Sequence, residues 1–241
     1  MNRLFRLDGQ PFDLDDLLDL FSTGSWQVVR YEFVSYLSLE IAEGLDDQQA
    51  IALAEDNLSI MNGICLLHSK DYQSVRISGI GKRDPVTGKV IVSAYATVSG
   101  LRLRLRGKGV LTGLRADGTV IEPEPSATKS RGAGVLEAAN NDPALQRALF
   151  LYGKLGHNWR ELCLVLDAIE EANGGEAPLL KKPWTDSRLK ELKKTANSFK
   201  AIGHEARHGK TATGISSPSI TLTEAREVVK AALIGWIEEL L

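Results

Sequence analysis

Glu122-Pro123-Glu124-Pro125-Ser126-Ala127-Thr128-Lys129-Ser130-Arg131-Gly132 divides this chain into two halves of different hydrophobic period. The run is polar, holds two prolines and shows no apolar repeat, which is the composition of a linker. Upstream, β-branched and aromatic residues alternate in short runs broken by Gly and Pro. Downstream, apolar residues return every three to four positions between helix caps. The expected fold class is α+β. A mixed domain, mainly antiparallel strands with a packed helix, is expected over residues 1–124. A linker follows over 125–137, then an all-α helical bundle over 138–241.

Working back from the divide, Val120-Ile121 and Val110-Leu111 bracket a turn at Ala116-Asp117-Gly118. Leu101 to Arg106 reads LRLRLR, strict alternation that predicts a half-buried strand with one basic face. Val90 to Val98 is the expected hairpin partner of a strand over Ser74 to Ser78, with the turn at Gly81 to Gly88. Before these, Asp46 or Asp47 is positioned to cap a helix running to about Leu67, whose apolar positions are Ile51, Ala54, Leu58 and Met61. Trp26 to Val34 (WQVVRYEFV) reads as a strand, and Leu14 to Phe21 as one or two helical turns.

Working forward, Asp142-Pro143 is an N-cap with proline at the first helical position, predicting a helix to about Gly156. Asn158 opens the next, with Glu161 three residues on and Gly174-Gly175 as the stop. A third helix is expected from Ser187 to about Ile202, with Leu189, Leu192, Ala196 and Phe199 on one stripe. Thr221-Leu222-Thr223-Glu224 is a capping box for a last helix.

Of 241 residues, 43% are apolar and 25% charged, the balance of a globular chain able to bury a core. Net charge is −2, so any attraction to a polyanion must be local. Cys65 and Cys163 both sit in apolar runs, which predicts buried thiols; neither belongs to a CxxC pair. The acidic cluster Asp13, Asp15, Asp16 and Asp19 lacks a calcium-loop pattern. No cofactor or metal is expected. Residues 1–10 lack the basic start and apolar run of a signal peptide, and no stretch approaches a membrane span's uninterrupted apolar length. The expected location is cytoplasmic, with no membrane partner.

Charge concentrates in one place. Residues 181–210 hold nine Lys or Arg against three acids, Asp186, Glu191 and Glu205. Lys190, Lys193, Lys194 and Lys200 fall outside the apolar stripe of their helix, and with Lys210 they are the expected phosphate contacts of a basic ridge. A solvated helix face that keeps the protein soluble is the competing reading. His204, Arg207 and His208 lie beside this ridge. A permanent cation next to a titratable imidazole suits a phosphodiester, with Arg207 and His208 (or His204) as the catalytic pair and Glu205 or Asn197 orienting the ring. The structural alternative has Arg207 closing on the last carbonyls of a helix, with Gly209 as its stop.

From about Ala138 to Leu241 the chain resembles the helical domains of bacterial proteins related to the HEPN superfamily. The likeness rests on Trp159-Arg160-Glu161-Leu162, Ile169-Glu170, Thr195-Ala196-Asn197-Ser198, Gly203, Glu205-Ala206-Arg207-His208-Gly209, Thr221 to Arg226, and Trp236. It implies a helical, often dimeric domain in a family with many RNA-cleaving toxins and defence effectors, alongside inactive companions and binding modules. Catalytic members carry an Arg with four to six residues between it and a His. No Arg here stands at that spacing, and the order is His204, Arg207, His208. The expected function is therefore RNA binding or cleavage. The alternative is a non-catalytic scaffold, dimerising through the helical half by way of Leu233 to Leu241 with Trp236 and Ile237.

Overall fold

The computed structural model describes residues 2–24, 26–40, 45–83, 90–94, 113–114, 120–121, 127–154, 158–207 and 214–241. The fold is α+β, and the chain forms two compact units: residues 1–55 with 75–133, and residues 56–74 with 134–241.

The first unit is built on a five-stranded antiparallel sheet. Its strands are β1 (Asn2–Asp8), β2 (Trp26–Tyr31), β3 (Val34–Glu40), β4 (Arg76–Arg83) and β5 (Val90–Ala94), in the order β2-β3-β1-β4-β5. β1 lies at the centre, with Leu4 opposite Ser38 of β3 and Gly81 of β4. Leu4, Phe5, Leu7, Val28, Leu37 and Leu39 are among its buried side chains. Residues 26–34, expected to be one strand, instead enter a hairpin: β2 ends at Tyr31, and Tyr31 pairs with Val34 across a two-residue turn. Glu32 takes a positive φ of 56° there, which lets the chain reverse. Helix α1 (Pro11–Leu20) buries Leu17 and Leu20, and Asp15 pairs with Arg30 of β2 at 2.8 Å.

Helix α2 (Asp47–His68) begins at a reciprocal cap: the Asp46 carboxylate accepts from Gln49 N at 2.8 Å and the Gln49 side chain accepts from Asp46 N at 3.1 Å. By length and hydropathy α2 would suit a membrane span, yet half of that stretch is buried inside the protein. A short two-stranded pair, β6 (Gly113–Leu114) with β7 (Val120–Ile121), completes the strands among the described residues. The expected strand at Leu101 to Arg106, the expected turns at 84–88 and 116–118, and Val110-Leu111 lie outside the described residues.

The expected linker is corrected. Helix α3 (Ala127–Asn141) occupies most of 125–137, because Val135, Leu136 and Ala139 form a buried stripe that the polar residues before them conceal. The domain boundary also differs, since residues 56–74 join the helical unit rather than the strand-rich one.

The helical unit continues with α4 (Pro143–Lys154), α5 (Trp159–Ala172), α6 (Glu176–Leu179), α7 (Leu189–Ala196), α8 (Phe199–Ile202) and α9 (Leu222–Leu240). The caps act as read: Asp142 accepts from Ala144 N and Leu145 N, Asn158 from Glu161 N, and Thr221 and Glu224 form both halves of a capping box. Gly63 of α2 and Gly153 of α4 meet backbone to backbone. A Cβ on Gly153 would overlap the Ser59 carbonyl oxygen, and one on Gly63 would overlap that of Leu149. On α9, Gly235 leaves the space that Trp184 fills; a Cβ at that position would lie only 2.5 Å from the Trp184 Cβ. Gly153→Ala is expected to separate α2 from α4 and lower unfolding free energy by about 1–3 kcal/mol, the usual cost of overpacking. Urea denaturation checks it, and an unchanged midpoint would contradict the close crossing.

Candidate functional site

The expected helix from Ser187 to Ile202 is broken in two, and the break organises the site. Asn197 ends α7, and Ser198 turns extended and caps α8, accepting from Ala201 N at 3.3 Å. The same Ser198 hydroxyl donates to Ile215 O at 2.8 Å, while Thr195 Oγ1 accepts from Ser219 N at 3.0 Å. These buried hydroxyls tie residues 214–219 to the α7–α8 corner. A short 3-10 turn, Gly203–Glu205, follows α8, entered through Gly203 at φ 61°. The chain then returns to α7, where Arg207 N donates to Ala196 O at 2.8 Å.

Helix α5 receives this corner along one edge. Arg160, Cys163, Asp167 and Glu170 recur at three- and four-residue spacing, so they share a face. Arg160 donates to the Ala206 and His204 carbonyls, both at 2.8 Å. Asp167 pairs with the Arg207 guanidinium at 2.6 Å. Glu170 meets Lys193 at 2.8 Å, and the same ammonium reaches Glu176 at 2.7 Å. Cys163 is buried between these pairs; burial foremost, set against the nearby Arg207 charge, pushes its thiol up to about 11. Such a thiol stays protonated and is a packing group rather than a nucleophile.

The sequence-derived residues therefore divide. Arg207 and Asn197 come to the corner, Arg207 held by Asp167. The Asn197 Oδ1 is buried there with no hydrogen-bond partner among the described residues. His204 is exposed, its ring set edge-on to Phe199 with centroids 5.3 Å apart, and Glu205 is exposed beside it. His208 and Lys210 lie outside the described residues, as does His157. Lys193 is corrected: it is not a free member of a basic ridge but an ion-pair centre, its side chain 19% exposed. Lys190, Lys194 and Lys200 are exposed and, among the described residues, in no ion pair. Elsewhere in this basic segment, Arg188 closes on Asp186, while Lys182 and the Trp184 indole both donate to Glu239. Leu233, Trp236 and Ile237, the expected dimer contacts, are buried inside the helical unit, leaving Leu240 and Leu241 exposed.

Sequence reasoning missed Arg160, Asp167 and Glu170 as partners of the basic segment. Their shared spacing on α5 was the available signal, but the groups they meet lie 23 to 46 residues away. Among the described residues, no three His, Cys, Asp or Glu side chains gather as metal ligands. Comparison with family models, curated proteins and solved structures finds no match.

Burial opposes charge on Lys193, and its hydrogen bonds to Glu170 and Glu176 more than offset this, so its pKa lies above the ordinary 10.5. A raised lysine stabilises the fold at every pH below its unfolded value and loses that contribution as pH rises through the folded value. Lys193→Met is therefore expected to cost about 1–2 kcal/mol at pH 7, because Glu170 is left largely buried without its cation. The deficit relative to wild type should shrink only above roughly pH 10.5. Chemical denaturation of both proteins at pH 7 and pH 11 measures this; no deficit at pH 7 would contradict the pairing.

Proposed function

We propose that the helical unit is an HEPN-like RNA-binding module whose contact face is formed by Lys190 and Lys194 of α7 and Lys200 of α8. The observation that carries this reading is the division of the basic segment into two classes. Four cations, Lys182, Arg188, Lys193 and Arg207, are matched by carboxylates. Lys190, Lys194 and Lys200, and Lys181 at the start of the segment, are exposed without such a match among the described residues. Lys190 and Lys194 stand one helical turn apart, so they project together. Mobile ammonium groups on one face neutralise backbone phosphates and release counterions without reading bases. The reading is of binding rather than cutting, because the Arg207 guanidinium is engaged by Asp167. The exposed His204 ring offers a flat surface on which an unpaired base can stack.

Fluorescence anisotropy with a single-stranded RNA, run across a salt series, tests the reading. Wild type is expected to bind with a steep salt dependence. Lys190→Ala/Lys194→Ala/Lys200→Ala should flatten the slope of log K against log salt by roughly 2, at about 0.7 per lost phosphate contact. Arg207→Ala should leave that slope unchanged. Binding that is absent, or insensitive to the triple substitution, would remove RNA as the ligand of this face; RNA that shortens during incubation would replace binding by cleavage.

A further inference from the structure

A polar cavity of about 250 Å³ opens in the helical unit, away from the α7–α8 corner and independent of its lysine face. Lys70 and Tyr72 reach it from the loop after α2, Tyr152 from α4, and Arg226, Glu227 and Lys230 from α9. Arg226 and Lys230 are four residues apart on α9 and so share a face, with Glu227 beside them. Three cations thus surround one small space against a single carboxylate.

The walls are fixed. The backbone contact of Gly63 with Gly153 holds α4 against α2, and Tyr152, next to Gly153, lines the cavity with Leu66 of α2. Lys230 donates one hydrogen to Leu66 O at 3.0 Å, which anchors the ammonium and leaves two donors for another partner. The Tyr72 hydroxyl donates to buried Asn62 at 2.6 Å, so that ring cannot swing away. Burial foremost, then the Glu227 charge, pushes the Tyr152 phenol up to about 12, which keeps it a hydrogen-bond donor. Lys70 and Glu227 are exposed, whereas Arg226 and Lys230 are partly buried and Tyr152 is buried. Donors and positive charge therefore dominate the inner side, and the one acceptor with full charge lies towards solvent.

Like charges gathered around a partly enclosed space repel one another, and a dianion relieves that repulsion. Arginine and lysine together offer forked and point donors suited to phosphate oxygens. A carboxylate near the opening repels a second phosphate but accepts hydrogen bonds from hydroxyl groups. We infer that this cavity binds a small sugar phosphate, its phosphate held by Arg226, Lys230 and Lys70 and a hydroxyl received by Glu227. The cavity is near the small end of ligand pockets, which excludes bulkier phosphorylated molecules from full entry.

Isothermal titration of the full chain with ribose 5-phosphate, inorganic phosphate and ribose tests this. Ribose 5-phosphate is expected to bind best, phosphate more weakly and ribose not at all. Arg226→Gln should weaken ribose 5-phosphate about tenfold or more, and Lys70→Ala, an exposed change that spares the fold, about threefold. Glu227→Gln should weaken ribose 5-phosphate while strengthening inorganic phosphate. No saturable binding of any probe, or binding that Lys70→Ala and Arg226→Gln leave intact, would overturn the site. Equal affinity for phosphate and ribose 5-phosphate would overturn the role given to Glu227. The Lys190→Ala/Lys194→Ala/Lys200→Ala protein should bind ribose 5-phosphate as wild type does, which separates this site from the RNA face.

Discussion

The polar edge of α5 is the constraint that shapes the α7–α8 corner. Arg160 holds the carbonyls of His204 and Ala206, Asp167 holds Arg207, and Glu170 holds Lys193. His204, Ala206 and Arg207 lie on or just after a short turn, whereas Lys193 lies on α7, which packs through Leu189, Leu192 and Ala196. Among the described residues, the four-residue α8 and the three-residue turn after it contain no buried side chain. Segments this short are marginal in isolation, so charged hydrogen bonds to a well-packed helix supply the order that apolar packing does not. α5 can serve because Leu162, Val165, Leu166 and Ile169 are fully buried on its other side.

That arrangement redistributes the positive charge of the basic segment. Lys193 and Arg207 are taken up by acids of α5, Arg188 and Lys182 by Asp186 and Glu239, and Lys190, Lys194 and Lys200 stay exposed. A surface of this kind keeps its lysines on a fixed helix while the long side chains adapt, which suits a sequence-independent phosphate contact. The α9 face treats charge differently. There the cations converge on a cavity rather than spreading over a surface, and the walls that hold them are set by a glycine–glycine crossing and a helix-end carbonyl.

The helical half was largely legible because its caps are local signals. Asp142-Pro143, Asn158 with Glu161, and Thr221 with Glu224 each announce a helix start within four residues, and each forms as read. β1 was not legible: NRLFRLD is short, with three of its seven residues charged, and its place at the centre of the sheet comes from pairing with β3 and β4, at distances in sequence that no local window spans. The polar run before α3 hid a helix because the apolar stripe begins only at Val135. Ser198 looked like one more residue on an apolar-striped helix, yet its hydroxyl and extended backbone break that helix. In the candidate site, the kinds of residue were readable but their partners were not. Nothing in the sequence around Lys193 or Arg207 indicates which acid will claim each cation.

Amide hydrogen exchange across residues 196–207, compared between wild type and Arg160→Met, is the decisive measurement for the role of α5. Arg160 holds this segment through the backbone carbonyls of His204 and Ala206, so its loss should loosen the turn without altering the lysine face. Faster exchange at the Ala206 and Arg207 amides is expected in the variant, with the α5 and α9 amides unchanged. Unaltered protection of Arg207 would refute that dependence, because the corner would then hold its shape without the edge of α5.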